Sequence, residues 1–251
     1  MKRKTGDRVW LIDEVRGLAI LLMVVYHTFF DLVVVFGVDI PVFFSPFVQF
    51  LAILFAGLFV FISGTACHYS RNNPKRGAVC FGLGMLLTVV TLLVLPSERV
   101  LFGILHMLGV CMMLFPLFRP LIKRLSPWVG CAACLLLFLL CYSLPDGYIG
   151  LPGLFSFRLP RMPYDAGFLF WLGFPPPGFF SSDYFPLLPW LFCFLAGAFF
   201  GIWVKEGRLP GWFYRPHFEP LAFVGRNTLI IYLLHQPVVY GVLFLLFRYV
   251  L

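Results

Sequence analysis

Seven stretches of the chain are apolar over a length that can cross a lipid bilayer, and no other feature constrains the fold as strongly. A helix needs about 20 residues, at about 1.5 Å each, to span the hydrocarbon core. Charged residues make up 12% of the chain, whereas soluble domains carry about 25%. The sequence therefore predicts an all-α polytopic membrane bundle of about seven transmembrane helices. The stretches cover roughly residues 15–37, 47–69, 78–96, 100–118, 127–144, 185–204 and 224–247.

The length and order of these stretches define the bundle further. They are continuous and about twice as long as the ten-residue alternating segments of transmembrane barrels. Only "PSER" separates the third stretch from the fourth, so we expect a tight helical hairpin in which Pro96 ends the first helix. The chain shows no sequence repeat and no soluble region, and it is interpreted as one transmembrane domain, 1–251.

The positive charges predict the orientation of the helices. With a cytoplasmic N-terminus, 15 of the 19 Lys and Arg residues fall on the inner side, and every loop follows the alternation. Such a bias is the usual determinant of membrane topology. The net charge of +8 therefore indicates topology and not nucleic-acid binding. We expect a multi-pass protein of the bacterial inner membrane, without a cleavable signal peptide.

One outer loop, about residues 145–184, is much longer than the others. It is rich in Pro, Gly and aromatic residues and is too apolar for a disordered segment. Two interpretations stay open. The loop is either a lid over the bundle, with a short helix through 166–172, or an interfacial loop anchored by its aromatic side chains.

The seven cysteines all lie in apolar stretches, and their number is odd. A disulfide framework is therefore not expected. Cys131 and Cys134 have the spacing of a redox or metal pair, but no second pair or histidine accompanies them. We interpret them as small core residues and predict no metal site.

The first apolar stretch carries the polar residues that matter most. Arg16, His27 and Asp31 fall on one helical stripe, and the last two are an i, i+4 pair. A carboxylate beside a histidine is the arrangement of a general base with its orienting group. Arg16 at the inner end of the stripe is suited to a phosphate. The alternative is structural, with His27 and Asp31 bonded to each other to join helices.

Further polar residues extend this set. His106 in the fourth stretch is a second candidate for proton transfer, with simple packing as the alternative. His235 lies in the last stretch, two residues before Pro237, which is expected to kink that helix. At the inner ends of helices, the candidates for binding an anionic ligand are Arg71, Arg226 and Asn227. On the outer side, Asp183 and Arg158 are candidates for substrate contact.

Several motifs occur in order along almost the whole chain: Arg8 with "IDEVRGLAILLMVVYH", "LFVFISG", "RVLFGILHMLGV", "DYFPLLPWLFCFLAGAFFG" and "VGRNTLIIYLLHQP". Together they resemble the bacterial branch of the heparan-alpha-glucosaminide N-acetyltransferase catalytic-domain family, which is related to the acyltransferase-3 proteins. Arg16 matches the arginine of the first-span motif. His27 matches a histidine of the acyltransferase-3 branch. The eukaryotic enzyme has asparagine there and its histidine about eleven residues later, where this chain has Val38.

The resemblance implies transfer of an acyl group, most simply acetyl, from cytoplasmic acetyl-CoA or another acyl-CoA to an acceptor at the outer side. The acceptor would be a carbohydrate or a lipid-linked glycan. Two other readings of the sequence stay open. The same His27 and Asp31 could relay protons in a transporter or flippase, or the chain could be a non-catalytic scaffold. The sequence leaves open whether the chain forms a homo-oligomer.

Overall fold

The computed structural model describes residues 9–151 and 153–249. Within them, seven helices are long and apolar enough to cross a membrane, which confirms the all-α polytopic prediction. The elements, numbered along the chain, are α1 (Trp10–Phe30), α2 (Pro46–Ala66), α3 (Asn73–Val94), α4 (Ile104–Arg124), α5 (Pro127–Cys141), β1 (Tyr148–Leu151), β2 (Phe155–Arg158), α6 (Met162–Asp165), α7 (Leu187–Glu206), α8 (Glu219–Arg226) and α9 (Thr228–Tyr249).

The chain packs as two compact units. The first comprises 1–62 with 207–251, and the second comprises 63–206, so that α2 contributes to both. Whether they act as the single domain predicted from sequence stays a prediction.

In the first unit, α1 packs mainly on the short helix α8 and then on α9. Two glycines make the contact of α1 with α8 very close. A Cβ atom on Gly17 would meet the carbonyl oxygen of Leu221, and one on Gly225 would meet that of Asp13. Backbone therefore touches backbone where α1 and α8 cross, as small residues allow in membrane helices.

In the second unit, α3 and α4 form the expected antiparallel hairpin. A Cβ atom on Gly77 would clash with the carbonyl oxygen of Gly109, and one on Gly84 with the ring of His106. The end of α2 packs on α7 in the same way. Gly64 lies against the backbone of Phe194, and the Thr65 hydroxyl donates to the Gly197 carbonyl at 2.8 Å.

Several helix boundaries differ from the sequence prediction, and three of the differences lie at or near candidate site residues. The first span is α-helical only to Phe30 and then continues as a π turn, Asp31–Val35. The fourth helix begins at Ile104 and not near residue 100, because Phe102 takes a positive φ of 58° and Gly103 is extended. The last span is divided in two at Asn227, so that Arg226 ends α8 and does not lie inside a single helix.

The long segment 145–184 contains an antiparallel hairpin, β1 with β2, that the sequence analysis did not predict. The expected helix through 166–172 is reduced to a single 3₁₀ turn, Phe170–Leu172. Gly167 and Gly173 flank that turn with positive φ angles of 72° and 122°. Glycine at such angles ends a helix, so the segment folds as a series of turns. Whether it acts as a lid stays open.

Candidate functional site

Two histidines from different helices meet in the first unit. The rings of His27, on α1, and His235, on α9, have centroids 5.1 Å apart. Both helices are apolar enough to span a membrane. Ionisable side chains inside a span are costly to bury and are by default a sign of function. We call His27, Asp31, His235 and Gln236 the histidine cluster.

A backbone carbonyl orients His235. Its Nδ1 lies 2.6 Å from the carbonyl oxygen of Tyr232. A carbonyl can only accept, so Nδ1 carries the proton and Nε2 of the neutral ring is an acceptor. This Nε2 is buried and has no hydrogen-bond partner among the described residues. The ring therefore presents an unused lone pair inside the first unit.

Asp31 is 0% exposed and binds α9 instead of its own helix neighbour. Its Oδ1 accepts a hydrogen bond of 2.7 Å from Nε2 of Gln236. Within the described residues no hydrogen bond joins His27 to Asp31, in contrast to the expected i, i+4 pair. The Gln236 amide of α9 supplies the donor that Asp31 uses. Asp31 is also the first residue of the π turn. Such turns are rare and often mark functional sites.

Gln236 is the cluster member that the sequence analysis missed. Its amide lies in the apolar run "YLLHQPVV", between His235 and Pro237, and that position was the available signal. A buried amide is costly unless it is bonded. The Oε1 atom of Gln236 is buried and has no partner among the described residues, so the cluster contains a second unused acceptor.

Glu14 is a second residue that the sequence analysis did not single out. It is 4% exposed and accepts hydrogen bonds from the backbone N–H groups of His217 and Phe218, at 2.7 and 3.0 Å. The His217 ring adds a contact of 3.1 Å through Nδ1. These groups precede α8 directly, so Glu14 satisfies donors at the start of that helix. The carboxylate thereby fixes α8 against α1.

The contact of α1 with α8 brings two of the predicted donor-binding residues to the same crossing. Arg16 is next to Gly17, and Arg226 is next to Gly225. A Cβ atom on Gly17 would lie 3.0 Å from the backbone nitrogen of Gly225. Arg226 is exposed, and Asn227 donates its side-chain amide to the Phe223 carbonyl at 2.9 Å. Asn227 thus stabilises the end of α8.

His106 lies in the second unit with both ring nitrogens engaged. Its Nδ1 accepts from the backbone N–H of Gly103 at 3.2 Å, and its Nε2 lies 3.4 Å from the hydroxyl oxygen of Thr88. Because Thr88 donates its own proton to the Val100 carbonyl at 2.8 Å, Nε2 is the donor in the contact with Thr88. This pattern joins the start of α4 to α3, as in the packing alternative.

Asp183 is also at the start of α4. Its Oδ2 accepts from the backbone N–H of Ile104 at 3.0 Å, which caps the helix. The two other predicted site residues in the second unit, Arg71 and Arg158, are exposed. The structure therefore groups His106 with Asp183 but brings neither Arg71 nor Arg158 into the cluster around them.

Two further expectations from the sequence concern the cysteines and metal binding. No disulfide joins the seven cysteines, each of which lies within the described residues. Within the part of the chain that the structure describes, no group of three or more His, Cys, Asp or Glu side chains could hold a metal ion.

Comparison with protein families matches residues 8–237 to the family described as heparan-alpha-glucosaminide N-acetyltransferase, catalytic. Comparison with curated proteins and with solved structures gives no match. The family match includes the histidine cluster, Arg16 and Arg226, and it ends at Pro237. Because the described residues contain seven helices long and apolar enough to cross a membrane, the chain is an integral membrane protein, and it belongs to the heparan-alpha-glucosaminide N-acetyltransferase catalytic-domain family of acyltransferases.

Proposed function

We propose that the protein transfers an acetyl group from acetyl-CoA, or a related acyl group from its CoA thioester, to a carbohydrate or lipid-linked glycan across a bacterial inner membrane. The contact of His27 with His235, at 5.1 Å between ring centroids, is the observation that carries the proposal. Acyl transfer to an amine or hydroxyl requires a group that removes a proton in the transition state. The cluster supplies such a group between two membrane-spanning helices.

In the proposed step, His27 takes the proton from the acceptor nitrogen or oxygen. That atom attacks the thioester carbonyl, the carbon–sulfur bond breaks, and the CoA thiolate is reprotonated. The unused Nε2 lone pair of His235 is available to share the proton that His27 has taken. The geometry around His106, where both nitrogens are already bonded, supports His27 as the base.

Asp31 has an electrostatic role in this proposal. A buried carboxylate stabilises a nearby imidazolium because opposite charges interact strongly where water is excluded. The hydrogen bond from Gln236 holds the carboxylate beside α9, which also carries His235. Gln236 is therefore a positioning residue, whereas His27 acts on the acceptor directly.

The donor would bind at the cytoplasmic side, which requires the N-terminus to be cytoplasmic. Arg16 and Arg226, adjacent to the glycines of the α1–α8 contact, would bind the phosphates of CoA, since guanidinium groups form bidentate hydrogen bonds with phosphate. Arg71 belongs to the second unit, and its part in donor binding stays a prediction. Asn227, by stabilising the end of α8, would hold Arg226 in position.

The test uses the purified full chain in nanodiscs with labelled acetyl-CoA and a panel of amino sugars. We expect acetyl transfer by the wild type and a loss of about 100-fold or more in His27→Ala, in line with general-base catalysis. Arg16→Ala should weaken acetyl-CoA binding and leave the rate at saturating donor less affected. Transfer at the wild-type rate in His27→Ala would exclude this base, and unchanged donor affinity in Arg16→Ala would exclude this phosphate site.

A transporter would behave differently in the same preparation. Uptake of a substrate into liposomes without any acyl-CoA, together with no acetyl product, would favour a proton relay through the cluster. Acetyl product that appears only with acetyl-CoA favours the transferase. The two functions are thereby separated by the requirement for the donor and not by the mutant phenotype, which would be a loss in both cases.

A further inference from the structure

The end of α4 presents three cations that form no ion pair with any residue the structure describes. They are Arg119, Lys123 and Arg124, and all three are exposed. In a soluble protein, an exposed cation that forms no ion pair is solvated by water. At the end of a membrane helix it also meets the headgroup layer of the bilayer.

This end of α4 extends beyond its partner helix. Gly77, four residues after the start of α3, packs against Gly109 and Met113 of α4. At about 1.5 Å per residue, the last two turns of α4 therefore continue past the start of α3. Leu117 is 73% exposed and Leu121 is 50% exposed. These two turns have an apolar surface that α3 does not cover.

The exposed apolar and cationic side chains near the end of α4 lie in rows along the helix. Leu117, Leu121 and Arg124 are spaced by four and then three residues, which puts them on one face. Arg119 and Lys123 are spaced by four and form a second row. Trp128, at the start of α5, is 73% exposed, and exposed tryptophans are enriched at the membrane interface. The surface thus combines a row of two exposed leucines, Leu117 and Leu121, that can contact an acyl chain, with cations at the end of the helix. We call this row the leucine ridge.

Other cations reinforce the positive potential at this end of the second unit. The His68 ring lies 5.6 Å from that of Phe115 on α4, between centroids, and its Nε2 lies 2.6 Å from the Ala198 carbonyl oxygen on α7. Arg119 and Lys205, further along the same two helices, therefore lie at this end of the unit. The start of α3 adds Arg71, Lys75 and Arg76. Glu206 is the one carboxylate in these helix ends. An anionic ligand is therefore attracted here more than at a mixed-charge surface.

We infer that the end of α4 binds an anionic phospholipid, with its phosphate at Lys123 and Arg124 and an acyl chain along Leu117 and Leu121. A free phosphate compound would use the cations but not the leucine ridge. A zwitterionic lipid would use the ridge, but its own ammonium group would oppose the cations. The combination favours a lipid with net negative charge, such as phosphatidylglycerol.

The test is native mass spectrometry of the full chain released from nanodiscs that contain equal amounts of phosphatidylglycerol and phosphatidylcholine. We expect the wild type to retain phosphatidylglycerol. The variant Arg119→Gln, Lys123→Gln, Arg124→Gln should retain about tenfold less or lower still, since each cation near an anionic surface contributes to binding. A matched control removes three cations elsewhere: Arg99→Gln, Arg161→Gln, Arg248→Gln. It should retain the lipid as the wild type does.

A second variant, Leu117→Asn with Leu121→Asn, keeps every charge and removes the ridge, and it should also lose phosphatidylglycerol. The inference is overturned if the triple-glutamine variant retains as much lipid as the wild type, or if the wild type retains both lipids equally. It is also overturned if inorganic phosphate or CoA displaces the lipid completely, because the site would then bind free phosphate. None of these outcomes depends on acetyl transfer.

Discussion

One substitution at Asp31 removes the negative charge of the side chain and keeps its hydrogen bond. In Asp31→Asn the side-chain oxygen still accepts from Gln236, as Oδ1 does now at 2.7 Å, but the negative charge is lost. We expect a thermal unfolding temperature within a few degrees of wild type and acetyl transfer at least about tenfold slower, because a buried charge stabilises the imidazolium.

Asp39→Asn is the matched control, since Asp39 is exposed in the same unit and should tolerate the change. Acetyl transfer is measured with labelled acetyl-CoA on equal amounts of folded protein. Wild-type activity in Asp31→Asn would mean that the carboxylate serves only to join α1 to α9.

Substitution of His106 should lower the stability of the protein and leave acetyl transfer nearly unchanged, which is the opposite of what we expect for Asp31. His106→Ala removes the acceptor for Gly103 and the donor to Thr88, and losing buried hydrogen bonds costs about 1–3 kcal/mol. We expect a lower unfolding temperature, measured by light scattering during a thermal ramp, with acetyl transfer per folded molecule close to wild type. If the fold is stable and activity is lost, His106 is the base in place of His27.

Glu98, in the turn before α4, predicts a pH dependence of stability. Burial raises the pKa of its carboxyl above the ordinary value, and its Oε2 has no hydrogen-bond partner among the described residues. The folded state therefore holds this proton more tightly than the unfolded state. Its favourable contribution is present in acid and is lost as the pH rises through the raised folded pKa.

Glu98→Gln mimics the protonated form at every pH. We expect the variant to unfold at a higher temperature than wild type at neutral pH, and this difference to shrink towards the ordinary pKa of Glu, about 4.3. Thermal unfolding at several pH values in that range measures it. A difference that is constant across the range would show that the charge of Glu98 is not responsible.

At the scale of elements, glycine determines which helices can touch. Gly17→Ala would drive a methyl group into the Leu221 carbonyl, and overpacking of this kind costs about 1–3 kcal/mol or more. Gly241→Ala is the matched control on α9, because a Cβ atom there meets nothing within 4 Å. We expect Gly17→Ala to lower the yield of folded protein and the unfolding temperature, whereas Gly241→Ala should match wild type or exceed it slightly.

The glycine contacts also show which helix–helix contacts can be predicted from the sequence and which cannot. The small residues of "ISGT" and of Gly197 with Gly201 predict close helix packing, and the structure confirms it between α2 and α7. The sequence does not predict the contact of Gly17 with α8, because the predicted last span, 224–247, includes only the final residues of α8. Its eight residues are too few to give a membrane-span signal, and a single glycine, Gly225, is not enough to predict the break at Asn227.

At the scale of the whole molecule, the cation bias predicts which loops face the cytoplasm. In Leu154→Cys, a residue 80% exposed in the hairpin, a membrane-impermeant maleimide should label intact cells. In Ser126→Cys, between α4 and α5, it should label only after permeabilisation, because that loop is predicted to be cytoplasmic. The wild type measures the background from its own seven cysteines. The reverse labelling pattern would invert the topology.

The sequence alone determined the class of the protein, the number of its spans and the family to which it belongs. These properties depend on hydrophobicity summed over about 20 residues and on motifs read in order, so they can be predicted without knowledge of helix packing. It also identified His27, Asp31 and His235 individually, because an ionisable group in an apolar run stands out whatever its neighbours are.

Only the tertiary structure decided which of these groups are partners. Helical periodicity paired His27 with Asp31, but the fold joins Asp31 to Gln236 and the His27 ring to His235. It likewise assigned Asp183 to a helix cap and Glu14 to the start of α8. The physical reason is that a side chain bonds to whatever lies across the interface. That neighbour is 205 residues away for Asp31 and Gln236, a separation on which local sequence pattern carries no information.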